Sequence, residues 1–181
     1  EISPRDWSSD VCSSDLDEVG QVNVVDASRR GFFRGRPRPK AEIRPPWALA
    51  ETEFTDRCTR CNDCLSACPE QIIVSGDGGF PTIDFARGEC TFCGDCLKAC
   101  TPQALKAVAE SQPWTYKALI GAGCLPQRGV ECRVCGDYCD ARAIRFAPRI
   151  GGSPLPEINP EKCTGCGACV APCPVVAITI R

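Results

Sequence analysis

The sequence predicts an α+β fold of two related, cysteine-rich modules that follow an extended N-terminal arm. Three observations support this prediction. Sixteen of the 17 cysteines fall into four groups of four, a pattern of two short strands around a Gly-rich turn occurs twice, and an Arg- and Pro-rich stretch precedes the first group. The predicted divisions are a segment excluded from the fold at 1–16, a basic arm at 17–53, module 1 at 54–112 and module 2 at 116–181.

Three of the four cysteine groups share the spacing C-x2-C-x2-C-x3-C, with a proline one or two residues after the last cysteine. Bacterial-type ferredoxins bind [4Fe-4S] clusters with this spacing. The two-residue gaps let the chain curl around one cluster, while the fourth cysteine lies one helical turn further on and points away from it. The sequence therefore predicts two bacterial-ferredoxin-like modules built around [4Fe-4S] clusters. The predicted metal ligands of these three groups are Cys58, Cys61, Cys64 and Cys68; Cys90, Cys93, Cys96 and Cys100; and Cys163, Cys166, Cys169 and Cys173.

The remaining group departs from the pattern. Its first cysteine, Cys124, is separated from Cys132 by an insertion of seven residues, and Asp140 stands where proline is expected. The chain spans that distance easily, so Cys124, Cys132, Cys135 and Cys139 are predicted to hold an irregular fourth cluster. The alternative is that they are spare thiols of a decayed motif. The sequence predicts at least three clusters, and four if this group binds one, which would also give Cys173 a partner cluster.

In two-cluster ferredoxins the fourth cysteine of each motif ligates the cluster of the other motif. Pairing groups that are neighbours in the sequence predicts four sites, numbered here 1 to 4. The expected ligands are Cys58, Cys61, Cys64 and Cys100 at site 1; Cys68, Cys90, Cys93 and Cys96 at site 2; Cys139, Cys163, Cys166 and Cys169 at site 3; and Cys124, Cys132, Cys135 and Cys173 at site 4.

Two other readings of the cysteines are disfavoured. The chain has no histidine and no methionine, so thiolate and carboxylate are the available ligands, which suits iron–sulfur clusters or zinc. Structural zinc sites use two pairs of cysteines and do not call for a third cysteine two residues on. A disulfide framework requires export and gives no reason for three near-identical spacings.

Short β-hairpins are predicted within both modules, because apolar residues with strand propensity flank Gly-rich turns. The last apolar run is predicted to be a closing strand. The predicted hairpins are 72–74 with 81–84 and 143–146 with 156–159, and the closing strand is 175–180.

Residues 1–16 resemble a translated sequencing adapter and are excluded from fold reasoning. Cys12 is therefore not a predicted ligand. This segment carries four acids and one base, so without it the formal charge changes from −2 to +1. The remaining chain is nearly neutral, which gives no overall electrostatic support for nucleic-acid binding.

Residues 28–44 form a basic stretch with seven Arg or Lys and a single acid, Glu42. Ser28-Arg29-Arg30-Gly31-Phe32-Phe33 resembles a twin-arginine export signal, but charged residues and prolines occupy the place of the apolar stretch that must follow, so we expect no export. From Arg34 to Arg44 the basic run lacks interleaved aromatic residues, and we predict neither a nucleic-acid partner nor a membrane span. The alternatives are a partner-binding arm, with Trp47 as its anchor, and a solvated tail.

Several segments together are similar to the NapF family, the ferredoxin-type proteins of the periplasmic nitrate reductase system. They are Asp26-Ala27-Ser28-Arg29-Arg30-Gly31, Arg44-Pro45-Pro46-Trp47, Cys58-Thr59-Arg60-Cys61, the irregular group from Cys124 to Cys139, and Cys163-Thr164-Gly165-Cys166-Gly167-Ala168-Cys169. This resemblance implies a cytoplasmic, non-enzymatic [4Fe-4S] protein that contacts the precursor of NapA, the catalytic subunit, before export and assists its maturation. The alternative function is an electron-transfer ferredoxin that feeds a reductase.

Overall fold

The computed structural model describes residues 42–107 and 112–181. The adapter-like segment, Cys12 and the arm up to residue 41 lie outside the described residues. Helices in the described part are short, and all strands pair antiparallel in two-stranded sheets. The helices are α1 Glu51–Arg57, α2 Asp63–Ser66, α3 Asp95–Ala99 and α4 Val134–Asp137, with 3₁₀ turns at Asp77–Gly79 and Leu125–Arg128. The strands are β1 Ile73–Ser75, β2 Pro81–Ile83, β3 Ala118–Ile120, β4 Ile144–Arg149, β5 Gly152–Ile158 and β6 Ile178–Ile180.

Both predicted hairpins are confirmed. β1 pairs with β2, with Ile73 opposite Ile83, and β4 pairs with β5, with Ile144 opposite Ile158. Each hairpin lies between the two cysteine groups of its module. Because strand pairing fixes the two ends of a hairpin, it also fixes the distance between the cysteine groups that precede and follow it.

The closing strand is confirmed in its second half: Ile178–Ile180 form β6, whereas residues 175–177 belong to the turn that precedes it, in which Val176 has a positive φ. β6 pairs with a strand that the sequence did not predict. β6 runs antiparallel to β3, with Ile180 opposite Ala118. Module 1 is closed in the same manner, because Ala48 forms a β-bridge with Leu105 and the Leu49 amide donates to the Ala104 carbonyl at 3.1 Å. The segment that closes module 1 therefore lies among residues assigned to the arm.

Left-handed backbone recurs at equivalent positions of the cysteine groups. In the three regular groups, the residues immediately before and after the second cysteine have positive φ; they are Arg60 and Asn62, Phe92 and Gly94, and Gly165 and Gly167. In all four groups, the third residue after the last cysteine also has positive φ; these residues are Gln71, Gln103, Arg142 and Val176. The irregular group thus keeps the turn at its exit but not the paired turns at its entry.

The apolar core is small and includes cysteines. The largest fully buried side chains are Phe54, Ile72, Pro45 and Pro46. Four cysteines are also buried, each the third of its group: Cys64, Cys96, Cys135 and Cys169. The space between the cysteines is thus part of the interior, which fits small domains whose folding depends on a bound metal group. No helix in the part of the chain that the structure describes is long and apolar enough to cross a membrane.

Arg44 fastens the beginning of the described chain to module 1. Its guanidinium pairs with Glu42 at 2.8 Å and with Glu51 at 2.7 Å, and its Cζ lies 5.3 Å from the ring centroid of Phe54 and 5.6 Å from that of Phe80. The side chain is only 11% exposed, and cation–π contacts gain strength when they are desolvated. Arg44 therefore acts inside the fold and does not belong to an exposed basic surface.

Replacing Gly167 by Ala should cost more stability than replacing Gly129 by Ala. Both glycines have φ near +80° (84° and 82°), so each substitution carries a backbone cost of about 1–2 kcal/mol. A Cβ at Gly167 would overlap the Phe85 ring, whereas one at Gly129 meets nothing within 4 Å. Overpacking should add about 1–3 kcal/mol at Gly167. Anaerobic urea unfolding measures the difference, and equal losses in the two variants would show that the Phe85 contact is loose.

Candidate iron–sulfur cluster sites

The four cysteines expected at site 1 line one cavity of about 340 Å³, a volume that includes space open to solvent. The four cysteines expected at site 2 line a second cavity of the same size. Each cavity has three cysteines from one group and one from the other group of module 1. The chain therefore brings together eight thiols in two sets of four, with room inside each set for a group of several atoms.

The irregular group converges in the same way. The Cys135 thiol lies close enough to Cys124, Cys132 and Cys173 for the charges of these thiols to interact. The Cys124 thiol is equally close to Cys132 and Cys173 in this sense. The seven-residue insertion starts packed on the fold, with Pro126 buried, and then loops out over residues 127–131, which are exposed. Cys124 consequently reaches the thiols expected at site 4 in spite of its distance in the sequence.

At site 3 the structure groups three thiols. Cys169 lies within electrostatic reach of Cys163 and Cys166, and also of Cys135 of site 4. Cys139, the fourth expected ligand, follows α4, and its Sγ accepts a hydrogen bond from the Ala143 amide at 3.3 Å. The ligand assignments for all four sites stay predictions.

Burial raises the pKa of at least one thiol in each site, and site 2 has two such thiols, because the pKa of Cys90 is raised to about 11 as well. Burial, reinforced by neighbouring thiols, raises the pKa of Cys64, Cys96 and Cys169 to about 12 each and the pKa of Cys135 to about 11. A thiolate is the form that binds iron, so binding must release these protons. These thiols would otherwise stay protonated at neutral pH.

Backbone amides point at several sulfurs. The Sγ atoms of Cys100, Cys139 and Cys173 accept hydrogen bonds from the amides of Leu105, Ala143 and Ala177 at 3.4, 3.3 and 3.3 Å, and Cys163 Sγ accepts one from Ala118 at 3.5 Å. Amide donors stabilise negative charge on ligating sulfur and tune the potential of a bound cluster. Together with the all-cysteine donor sets, these contacts fit an iron–sulfur cluster. Among residues 42–107 and 112–181, no three Cys, Asp or Glu side chains are grouped as a single metal ion would require.

Two residues near the sites have roles that the sequence did not reveal. Trp47, expected to anchor a partner, is partly buried against the core and lines the site 2 cavity, and its amide donates to the Pro113 carbonyl at 2.7 Å. The anchor interpretation is therefore corrected: Trp47 is a wall of site 2. Lys117 donates from Nζ to the Cys163 carbonyl at 2.6 Å, which places a cation beside site 3. No local pattern marks either residue, because both contacts join distant segments.

Comparisons with known proteins agree with this arrangement. A family model described as a 4Fe-4S dicluster domain matches residues 57–104, and one described as a 4Fe-4S binding domain matches residues 156–179. The fold and the thiol sites define an iron–sulfur protein of the ferredoxin type. The chain is 45% identical to the ferredoxin-type protein NapF of Escherichia coli K12, over 86% of this chain and 94% of that protein. It is 50% identical to the ferredoxin-type protein NapF of Haemophilus influenzae, over 88% of this chain and 97% of that protein. The chain belongs to the NapF family of ferredoxin-type proteins.

A more distant relative has a different name. The chain is 34% identical to the methylamine utilization ferredoxin-type protein MauM of Methylobacillus flagellatus, over 90% of this chain and 77% of that protein. The likeness covers most of both chains, so similarity along most of the chain extends beyond proteins named NapF.

Replacing Cys68 by Ser should disturb site 2 and leave site 1 intact, although Cys68 belongs to the first cysteine group. The reason is the crossed cavity, in which Cys68 stands with Cys90, Cys93 and Cys96. Iodoacetamide labelling of the anaerobic protein, read by mass spectrometry, should find these three thiols reactive and those of site 1 protected. Cys100→Ser is the matched control and should give the reverse pattern. Exposure of Cys58, Cys61 and Cys64 in the Cys68→Ser variant would contradict the crossed assignment.

Replacing Cys124 by Ser should remove at most one cluster. Cys124 lies near the thiols of site 4 alone, so the variant should lose no more than four irons per chain by anaerobic iron and sulfide analysis. Cys12→Ser, at a cysteine that is not a predicted ligand, should lose none. Loss of all iron on replacing Cys124 would show that the modules do not load independently.

Proposed function

We propose that this protein holds four [4Fe-4S] clusters and acts in the cytoplasm as an accessory factor for the NapA precursor of periplasmic nitrate reductase before its export. The observation that supports cluster binding most directly is the pair of cavities in module 1, each lined by four cysteines drawn from two groups. The role toward NapA is supported by membership of the NapF family. The proposal assigns the chain no catalytic residue.

The protein's own residues would bind each cluster and adjust its reduction potential. The ligands would be the four sets named at sites 1 to 4, and a bound cluster would supply reversible one-electron chemistry. The buried third cysteine of each group gives up its proton on binding, and backbone amides such as those of Ala143 and Ala177 stabilise the ligating sulfurs. Lys117 adds a positive charge next to site 3.

We propose site 4 as the most labile of the four. Its first ligand, Cys124, is carried by the insertion, in which residues 127–131 are exposed. Local opening costs less where few contacts hold the backbone. A factor that hands over a cluster needs one site that opens without unfolding the others, and the exposed part of the insertion supports this role for site 4.

The basic arm is proposed to speed encounter with an acidic surface on the NapA precursor. Its bases from Arg29 to Lys40 lie outside the described residues, and Arg44 is excluded because it is ion-paired within the fold. Clusters held by four thiolates are anionic, so the charge contrast between the arm and the body increases on loading. Electrostatic steering of this kind weakens as salt is added.

A second candidate function is electron transfer to a reductase without cluster delivery. It is favoured by one contact between the modules, where the Cys90 amide of site 2 donates to the Cys166 carbonyl of site 3 at 2.8 Å. A delivery factor does not require its cluster sites to be adjacent. An electron carrier benefits from adjacent sites, because an electron must pass from one cluster to the next.

Transfer of labelled iron to the NapA precursor separates the two functions. Protein loaded anaerobically with iron-55 should pass label to precursor that lacks its cluster, and iron lost from the donor should match iron gained by the precursor. Replacing Arg34, Arg36 and Arg38 together by Ala should slow transfer at low salt and leave the iron content of the donor unchanged, because the steering charge is lost. Full retention of label through many rounds of reduction and oxidation, with no gain by the precursor, would favour the electron carrier. Equal transfer rates with and without the three arginines would make the arm a solvated tail.

A further inference from the structure

The two modules meet at cysteines. The Cys90 amide donates to the Cys166 carbonyl at 2.8 Å; Cys90 is the first cysteine of the second group, and Cys166 is the second cysteine of the fourth group. The Cys166 thiol also lies within electrostatic reach of the Cys90 thiol. Site 2 and site 3 therefore touch through the chain segments that carry their ligands.

Aromatic side chains fill the rest of this junction. Trp114 packs edge-on against Phe92 and Phe85, with ring centroids 5.3 and 6.0 Å apart, and its Nε1 donates to the Thr164 carbonyl at 2.9 Å. Phe92 lies in the cysteine loop of site 2, and Thr164 lies in that of site 3. Trp114 and Phe85 are only 8% and 6% exposed, so this aromatic part of the junction is buried.

Two glycines allow the loops to approach this closely. A Cβ at Gly165 would meet Trp114 Nε1 at 2.9 Å and would also overlap the Tyr116 carbonyl. A Cβ at Gly167 would overlap the Phe85 ring. The loop of site 3 thus lies as close to the aromatic residues as a glycine backbone permits.

We infer that electrons pass between site 2 and site 3 across this junction. The four sites then form one line, an electron-transfer chain in the order 1, 2, 3, 4, and not two separate pairs. The other neighbours in the line are within modules, where Cys64 lies near Cys96 and Cys135 lies near Cys169. One electron leaves one site and enters the next, so the first site is oxidised and the second reduced, and no bond or proton is exchanged. The inference rests on the proposed occupancy of the sites by clusters and not on the partner.

Two double variants test this step, each leaving one site per module. Cys61→Ser with Cys132→Ser removes sites 1 and 4 and retains the adjacent sites 2 and 3. Cys93→Ser with Cys166→Ser removes sites 2 and 3 and retains the ends of the line. Both variants replace the second cysteine of a group in each module, which matches them chemically. Each protein is purified anaerobically, analysed for iron and sulfide, reduced with dithionite as the electron donor, and measured by electron paramagnetic resonance.

The spectrum of the variant that retains sites 2 and 3 should differ from that of isolated clusters, because two reduced clusters at neighbouring sites interact magnetically. The variant with sites 1 and 4 should show two independent signals. Independent signals in both variants, at two clusters per chain, would overturn the inference. Iron content below one cluster per chain in both variants and in the unaltered protein would instead overturn the proposed cluster binding, and this inference with it.

If the double variants lose their iron while the unaltered protein keeps it, a second comparison tests the same inference. In the full chain, Gly167→Ala should widen the junction, while Gly129→Ala should leave it unchanged because its Cβ meets open space. At equal iron content, the fully reduced Gly167→Ala protein should lose part of the interaction seen in the unaltered protein and in Gly129→Ala. Identical spectra from all three proteins would exclude coupling through this junction.

Discussion

A thiol cavity in module 1 is complete only when two cysteine groups come together, because three of its sulfurs belong to one group and the fourth belongs to the other. The two groups share two cavities, so each group supplies ligands to both of them. The hairpin between the groups and the bridge from Ala48 to Leu105 hold them at a fixed separation. The architecture of the module follows from this arrangement, in which the fourth cysteine of each group lines the cavity of the other group.

Bringing so many thiols together has a physical cost that the chain alone does not offset. Ionised thiols that face one another repel, and burial disfavours their charged form, which raises the pKa of the innermost cysteine of each group. A bound cluster would lessen both penalties, since iron would replace the protons and offset part of the sulfur charge. Cluster binding and folding are therefore coupled in this protein, as in other small metal-dependent domains.

The sequence was most informative where ligand chemistry acts over short spacings. The cysteine groups, both hairpins and the closing strand could be predicted because each depends on residues within a few positions of one another. Strand β3 and the role of Trp47 could not, since their contacts join segments that are distant in the chain. Arg44 was assigned to the basic arm, although its two ion-pair partners, Glu42 and Glu51, are close to it in the sequence. Trp47 was expected at a partner surface because a tryptophan beside two prolines resembles an anchor, yet it lines site 2. The junction at Cys90 and Cys166 was equally hidden, because the hydrogen bond joins main-chain atoms of residues in different modules.

The recurrent left-handed turns have a consequence for the lifetime of the protein in a cell. In the described part of the chain, eight residues other than glycine have positive φ. At about 1–2 kcal/mol each, their combined cost is on the order of 10 kcal/mol, comparable to the whole stability of a typical domain. Seven of the eight lie within or just after a cysteine group, and the eighth, Trp47, lines site 2, so bound clusters would hold these turns in place. A chain without clusters should relax at these turns and become a substrate for proteases. The abundance of the protein would then follow the iron supply even at a constant rate of synthesis.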